Sequence, residues 1–174
     1  MRLVDEERQR AQPAGDIVSR AAPSEDEVCA DLGCGIGYVT IPLASRVRLV
    51  MALDSQAEML SELMERADRV RDRILPTLAE LPMLPVGDEC LDRVVLVNVL
   101  HEVGDRAMLA SEIARVLRPG GRLTVVDFQK RETSWGPPVS ERIREEDVPV
   151  ILLGFGTVTV WSFEEFYQYE FVRR

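Results

Sequence analysis

Residues 28–40 read VCADLGCGIGYVT, and this stretch decides the fold. The apolar run at its start is typical of a strand that is buried on both faces, with Asp31 near its carboxyl end. Gly33, Gly35 and Gly37 follow at alternate positions, and glycines allow positive φ angles and leave no Cβ atom in the way of a ligand. A helix predicted over residues 37–46 directs its first amide hydrogens over the turn. The stretch therefore predicts a strand, a turn and a helix that together form a nucleotide-type site.

The glycine spacing and the acid before it indicate the kind of nucleotide. A dinucleotide-binding fold uses G-x-G-x-x-G, whose third glycine falls where this chain has Tyr38. A carboxylate at Asp31, two residues before the first glycine, would repel a pyrophosphate and attract an ammonium or a sulfonium. The pattern therefore favours a cationic adenosine ligand over NAD, and S-adenosylmethionine (AdoMet) is such a ligand.

The motif D-L-G-C-G-I-G at residues 31–37 resembles the first motif of class I AdoMet-dependent methyltransferases. The resemblance continues in the order of that family's later motifs, at residues 49–60, 78–103 and 112–128. It implies an α/β fold, a Rossmann-like three-layer sandwich with a seven-stranded, mostly parallel sheet and a C-terminal antiparallel hairpin. The GPP segment at residues 136–138 and the closing two-strand pattern are more loosely similar to small-molecule methyltransferases related to quinone biosynthesis.

Asp54 ends the predicted second strand about 20 residues after the first glycine, where Rossmann-like folds place a carboxylate on the ribose hydroxyls. A carboxylate accepts two hydroxyl hydrogen bonds, although capping the next helix, predicted over residues 56–69, is an alternative role. The resemblance places the backbone of Asn98 and Val99 beside the methionine part of AdoMet. The predicted AdoMet site consists of Asp31, Gly33, Cys34, Gly35, Gly37, Asp54, Ser55, Met59, Leu78, Ala79, Asn98 and Val99.

The end of the predicted third strand departs from the family pattern. Family members commonly carry an acid there to bind the adenine amino group, whereas this chain has Thr77, Leu78 and Ala79, followed by Glu80. Backbone groups of Leu78 and Ala79, or the Glu80 carboxylate in a shifted register, are the candidates for the adenine contacts.

His101 and Glu102 follow the predicted fourth strand, at the sheet end that carries Gly33 and Asp54. Ligands of open α/β sheets bind outside the carboxyl ends of the strands, so these two residues are the predicted catalytic, acceptor-side pair. His101 is the only histidine and can position the acceptor, act as a general base near neutral pH, or be purely structural. Glu102 can hold His101 or begin the next helix, and Asp127 either enters the site or caps a loop.

Composition narrows the class of protein and its partners. The 174 residues include 46% hydrophobic and 29% charged residues, and no apolar run is long enough to span a membrane. The net charge of −9 argues against general nucleic-acid binding, which needs a basic face. Cys29, Cys34 and Cys90 lack the spacing of a metal site, so no metal is expected. We expect a cytoplasmic protein whose partner is a small-molecule methyl acceptor, with a homodimer as an open option.

We expect one methyltransferase domain over residues 1–174, in three parts. Residues 1–27 are a helical leader that either packs on the sheet or covers the ligand as a lid. Residues 28–128 are the AdoMet-binding core. Residues 129–174 hold a polar loop that can carry specificity, then a helix and the closing hairpin.

The outer parts contain four further predicted elements. In the leader, a helix covers residues 5–12, and Asp16 caps a second helix. After the core, a helix is predicted over residues 140–153. The β-rich patterns at residues 156–163 and 166–172 predict the hairpin.

The leading hypothesis is an AdoMet-dependent methyltransferase that acts on a small molecule and releases S-adenosyl-L-homocysteine. The alternative is a methyltransferase-like module that binds AdoMet or a partner without catalysis, since the chain has no long insertion to enclose a substrate. An NAD-dependent reductase is disfavoured because the glycine spacing differs and Val126 stands where a Tyr-x-x-x-Lys pair with Lys130 needs a tyrosine. The acceptor and its reacting atom (O, N, C, S or As) stay open.

Overall fold

The computed structural model describes residues 2–133 and 135–174. These residues form one seven-stranded sheet. The strands are β1 Val28–Leu32, β2 Leu49–Asp54, β3 Ile74–Leu78, β4 Leu91–Val97, β5 Leu117–Phe128, β6 Phe155–Ser162 and β7 Phe166–Arg173.

The spatial order of the strands is β3-β2-β1-β4-β5-β7-β6. The first five strands pair in parallel, whereas β7 is antiparallel to both β5 and β6. The chain runs outward from β1 to β3 and then returns to β4 on the other side of β1, and open α/β sheets bind ligands at such a switch point. The predicted Rossmann-like sheet with its C-terminal antiparallel hairpin is confirmed.

Helices cover both faces of the sheet and complete the three predicted layers. Helices α2, α3 and α4 pack on one face, and α5 and α6 pack on the other, while α1 leads into them. Among the described residues, every helix is too short or too polar to cross a lipid bilayer. The helices are α1 Arg2–Ala11, α2 Ala14–Ala21, α3 Thr40–Ala44, α4 Ala57–Arg66, α5 Arg106–Val116 and α6 Val148–Ile151.

Strand β4 shows how the sequence sets these layers. Successive side chains of a strand point to opposite faces of the sheet. Val94 and Leu96 join the core under Ile113 of α5, whereas Val95 and Val97 join the core under α2, α3 and α4. Both faces of β4 are therefore apolar, which explains its uninterrupted VVLV run.

The helix predicted over residues 140–153 is wrong. Two 3₁₀ turns, Val139–Glu141 and Glu145–Asp147, precede the short α6, and the backbone is extended at Arg142 and Arg144. The polar segment folds around the Arg142 side chain instead, because buried carbonyl groups need hydrogen-bond donors. The buried Arg142 guanidinium donates to the backbone carbonyls of Gln129, Arg131, Trp135 and Pro137.

Two helix starts also differ from their predicted positions. Helix α2 begins directly after Pro13, so Asp16 lies inside its first turn and is not its N-cap. Helix α3 covers only Thr40–Ala44 rather than residues 37–46. Gly37 has a φ of +87°, which is incompatible with a helical start at that residue.

An ion pair on α5 holds the loop that leads from β3 to β4. The Arg115 guanidinium lies 2.7 Å from the Glu112 carboxylate and donates to the carbonyls of Leu84 and Val86. Glu112 Oε2 in turn accepts a hydrogen bond from Leu84 N over 3.0 Å. Glu112 is 7% exposed, and the Arg115 hydrogen bond lowers the pKa of its carboxyl to about 2. The pair thus connects the loop to the helix layer.

Replacing Glu112 with alanine is expected to lower the free energy of unfolding by about 3 kcal/mol, since the Leu84 amide loses its acceptor and Arg115 loses its buried ion-pair partner. Chemical denaturation at pH 7 measures the change. Glu62→Ala, which removes a more exposed ion pair with Arg66 on α4, is the control and should cost under about 1 kcal/mol. Equal losses of unfolding free energy in the two variants would contradict a role of the Glu112–Arg115 pair in holding the loop.

The lowered pKa of Glu112 also fixes the sign of its pH dependence. A carboxyl whose pKa is lower in the folded state contributes stability above its unfolded pKa. In the wild type this contribution should therefore disappear as the pH falls from about 4.5 toward about 2. The difference in unfolding free energy between wild type and Glu112→Ala should shrink over the same range.

Candidate active site

A cleft of about 410 Å³ opens at the carboxyl ends of β1, β2 and β4. Its walls are the turn after β1, the end of β2, the segment after β3 and the first residues after β4. This position is the switch point of the sheet, and small-molecule sites commonly have volumes of roughly 300–1,000 Å³. The cleft is therefore the candidate ligand site.

Backbone amides fasten the turn after β1 to the end of β2. Gly33 N and Cys34 N both donate to Leu53 O, over 2.8 and 3.0 Å. Gly35 N donates to Asp54 Oδ2 over 2.8 Å. The predicted turn and the predicted second-strand acid therefore belong to one hydrogen-bonded unit.

The three glycines of the turn have positive φ angles, +68° at Gly33, +52° at Gly35 and +87° at Gly37. A Cβ at Gly33 would lie 2.5 Å from Val99 Cγ2, and a Cβ at Gly37 would lie 2.2 Å from Leu63 Cδ1. At Gly35, no described atom beyond the adjoining residues lies within 4 Å of the Cβ position, and this residue lines the cleft. Gly33 and Gly37 thus allow close packing, whereas Gly35 leaves room for a ligand.

Asp54 lines the cleft at the end of β2. Its carboxylate oxygens accept hydrogen bonds from Gly35 N and Gln56 N, over 2.8 and 3.0 Å. These bonds fix the orientation of the carboxylate, and each oxygen has a second lone pair for a ligand hydroxyl. The alternative capping role is limited to the Gln56 contact, because Gln56 itself is the N-cap of α4.

Asp31 lies behind the turn and does not line the cleft. The residue is 3% exposed, and its Oδ2 accepts a hydrogen bond from Thr40 Oγ1 over 2.6 Å. Burial raises the pKa of Asp31 to about 6, against the opposing effects of the Thr40 hydrogen bond and the positive charge of Arg8. A cation in the cleft near Asp31 would favour its ionised form.

Most of the predicted site residues meet at the cleft. Those that line it are Gly33, Cys34, Gly35, Asp54, Ser55, Ala79, Asn98, Val99 and Glu102. Those that do not line it are Asp31, Gly37, Met59, Leu78 and His101. After β3, Leu78 is 62% exposed, and the cleft is lined instead by Ala79, Glu80 and Leu81. The acid considered in a shifted register, Glu80, thus lies at the cleft.

Sequence patterns did not predict a group of residues at the leader side of the cleft. Arg8 and Tyr38 line the cleft, and the Tyr38 hydroxyl donates to Gln12 O over 2.8 Å. The side-chain amides of Gln12 and Asn98 exchange two hydrogen bonds, of 2.9 and 3.2 Å. Tyr38 was visible as the residue that replaces a dinucleotide-site glycine. Arg8 and Gln12 lie in a leader without a motif, so no sequence pattern placed them there.

Behind the cleft, His101 forms a hydrogen-bonded pair with Asp127. His101 Nδ1 lies 2.7 Å from Asp127 Oδ1, and His101 N donates to Asp127 Oδ2 over 3.1 Å. On the other side of the ring, Nε2 lies 3.8 Å from Oε1 of Glu102. Burial lowers the pKa of His101, but the hydrogen bond and charge of Asp127 outweigh that effect, so the pKa is raised above its ordinary value. Asp127 therefore sets the orientation of the histidine.

Phe128, at the end of β5, packs between His101 and Trp135 of the following loop. The Phe128 ring contacts the rings of His101 and Trp135 edge to face, at centroid distances of 6.0 and 4.7 Å. Gly136 has a φ of +104°, and a Cβ there would lie 2.5 Å from Phe128 Cε1. In the described part of the chain, no residue after Gly104 lines the cleft. The loop thus reaches the site through Phe128 and His101 and not directly.

Comparison with known proteins places the chain in a family. A family model described as a methyltransferase domain matches residues 30–125, more than half of the chain. A 27-O-demethylrifamycin SV methyltransferase of Amycolatopsis mediterranei is 34% identical over 141 residues, which are 78% of this chain and 49% of that protein. A demethylmenaquinone methyltransferase of Corynebacterium kroppenstedtii is 36% identical over 110 residues, which are 63% of this chain and 45% of that protein. The chain spans about half the length of these two relatives.

A solved structure extends the likeness to the whole fold. A SAM-dependent methyltransferase from Aquifex aeolicus matches with a TM-score of 0.90 and 22% identity, covering 99% of this chain and 96% of that one. The stretch that the family model matches includes the glycine-rich turn, Asp54 and β4, which form most of the cleft. By sequence and by fold, the chain belongs to the class I AdoMet-dependent methyltransferase family.

Proposed function

We propose that this chain binds AdoMet in the cleft and transfers its methyl group to a small-molecule acceptor, releasing S-adenosyl-L-homocysteine. The proposal rests on the contact between Gly35 and Asp54. Gly35 leaves open space for a ligand, and its amide fixes the Asp54 carboxylate beside that space. The ribose of a nucleoside offers two neighbouring hydroxyl groups to such a carboxylate. The relatives named for demethylrifamycin and demethylmenaquinone support a small-molecule acceptor.

The adenosine part of AdoMet fits the β2 and β3 side of the cleft. Asp54 would accept the ribose hydroxyls, with Ser55 beside it. Ala79 and Glu80 would face the adenine, and Glu80 supplies the acid that the family pattern has slightly earlier in the chain. Met59 and Leu78 stay predicted contacts.

The methionine part fits the β1 and β4 side. Gly33, Cys34 and Gly35 allow the ligand to approach the backbone, while Gly37 holds the turn in place. The backbone of Asn98 and Val99 would flank the methionine chain. The negative charge of Asp31, behind the turn, favours the methionine ammonium across that backbone.

When bound, AdoMet supplies a methyl group that is already electrophilic. The protein must align an acceptor atom with that methyl group and exclude water. Orientation of this kind can contribute roughly 7–11 kcal/mol of barrier reduction. Residues 28–128 would hold AdoMet, residues 1–27 would cover it, and residues 129–174 would support the acceptor side through the aromatic packing on His101.

His101 and Glu102 are the proposed acceptor-side residues. A carboxylate only accepts hydrogen bonds, so Nδ1 carries a proton in its bond to Asp127. A further proton is then taken up at Nε2. Glu102 lines the cleft and has Oε1 3.8 Å from Nε2, so it links the cleft to the imidazole. Glu102 can therefore accept a proton released by an acceptor, and His101 lies behind it at ion-pair distance.

Asp54→Ala is expected to weaken AdoMet binding by about 100-fold, because two hydrogen bonds to a charged group are lost. Isothermal titration calorimetry measures the change. Glu58→Ala, in the exposed first turn of α4, is the control and should leave the affinity unchanged. Near-wild-type affinity in Asp54→Ala, with the thermal unfolding midpoint retained, would contradict the ribose assignment.

NMR titration of the histidine ring tests the His101–Asp127 pair, since the chain has a single histidine. The wild-type pKa should lie above 6.5, Asp127→Asn should lower it clearly, and Glu102→Gln should lower it less. Because the folded pKa is raised, the pair stabilises the fold below the unfolded pKa, and this stabilisation is lost as the pH rises through the folded pKa. A pKa that Asp127→Asn does not move would refute the pairing.

A further inference from the structure

Arg8 supplies the one basic side chain among the described residues that line the cleft. The acidic side chains of the lining are Asp54, Glu80 and Glu102. A ligand that carries a negative group in this cleft would therefore be attracted to Arg8 and repelled elsewhere. Arg8 lies on α1, in the leader, where no motif predicted a cleft residue.

The guanidinium of Arg8 is supported by an aromatic ring. Its Cζ lies 4.0 Å from the centroid of the Tyr38 ring, close enough for a cation–π contact. The N–H donors of a guanidinium lie in its plane. Such a planar fork matches a carboxylate through two parallel hydrogen bonds, which an ammonium cannot do.

The leader that carries Arg8 is tied to both walls of the cleft. Gln12 is fully buried, and its carbonyl accepts the hydroxyl of Tyr38, which belongs to the glycine-rich turn. Its side-chain amide exchanges two hydrogen bonds with Asn98, at the end of β4. Asn98 has a φ of +61°, a left-handed conformation that asparagine tolerates better than most residues. These contacts position α1 beside the cleft.

Arg8 and Asp31 place opposite charges at the same turn. Asp31 lies buried behind the turn, and Arg8 lies on the cleft side and opposes the effect of burial on the Asp31 pKa. An α-amino acid carries an ammonium and a carboxylate on one carbon atom. The two charges of the protein therefore complement the two charges of an amino-acid end.

We propose that Arg8 binds the α-carboxylate of the methionine part of AdoMet and that this contact holds α1 over the cleft. The inference rests on the proposed function, because AdoMet must occupy the cleft. AdoMet has two positive groups and one carboxylate, so the basic residue of the lining meets the only anionic group of the ligand.

Calorimetry on the full chain with two ligands isolates this contact. AdoMet and decarboxylated AdoMet share the sulfonium and the amine, and only AdoMet has the carboxylate. The wild type should bind AdoMet about 10- to 100-fold more tightly than the decarboxylated ligand, as expected for hydrogen bonds between charged groups. Arg8→Gln should remove that preference by weakening AdoMet, while the affinity for decarboxylated AdoMet stays within about twofold.

Two further variants serve as controls. Arg10→Gln removes an exposed charge from the same helix and should change neither affinity. Arg8→Lys keeps the charge without the planar fork and should restore only part of the preference for AdoMet. If Arg8 only supports the fold, Arg8→Gln weakens both ligands equally, and that result, or no change in either, overturns the assignment while the proposed function stands. A wild type that binds neither ligand overturns both.

Amide hydrogen exchange over residues 2–11 tests the effect on α1. AdoMet should slow exchange of this helix in the wild type, and decarboxylated AdoMet should slow it much less. In Arg8→Gln, the two ligands should give the same exchange rates. Equal protection of α1 by both ligands in the wild type would overturn the role of Arg8 in holding the helix.

Discussion

Three backbone amides tie the glycine-rich turn to the end of β2, and the rest of the site depends on this attachment. Gly33 N and Cys34 N donate to Leu53 O, and Gly35 N donates to the Asp54 carboxylate. The attachment is possible because β1 and β2 are parallel neighbours whose last paired residues are Leu32 and Leu53. The turn therefore starts where β2 still offers a carbonyl and a carboxylate. The same hydrogen bonds shape the floor of the cleft and orient the acid at its rim.

Buried carboxylates at the ends of two other strands form a second feature of this sheet edge. Asp31 near the end of β1 is bonded to Thr40, and Asp127 near the end of β5 is bonded to His101. Burying a carboxylate is costly unless it is hydrogen-bonded, and both groups have such partners. The cation of AdoMet would complement Asp31, and Asp127 already holds the imidazole. The sheet thus presents one acid toward the proposed cosubstrate and one toward the proposed acceptor side.

The sequence predicted those parts of the fold that depend on local chemistry. Strand β1, the turn with Gly33 and Gly35, and the apolar β4 all follow from residue types at short spacing, and the structure has them close to the predicted positions. The helix predicted over residues 140–153 failed because the segment contains Arg142. The buried guanidinium of this residue collects carbonyls of the preceding loop, a demand that helical periodicity does not reveal.

By itself, the sequence determined the family, the parallel sheet and the meeting of the turn with Asp54, because strand, turn and motif signals act over a few residues. Only the tertiary structure decided that Arg8 lines the cleft, that Gln12 is bonded to Asn98, that Asp127 holds His101, and that Asp31 stays behind the turn. These contacts join residues that lie far apart in the chain. Their energies depend on packing and burial, which no local pattern specifies.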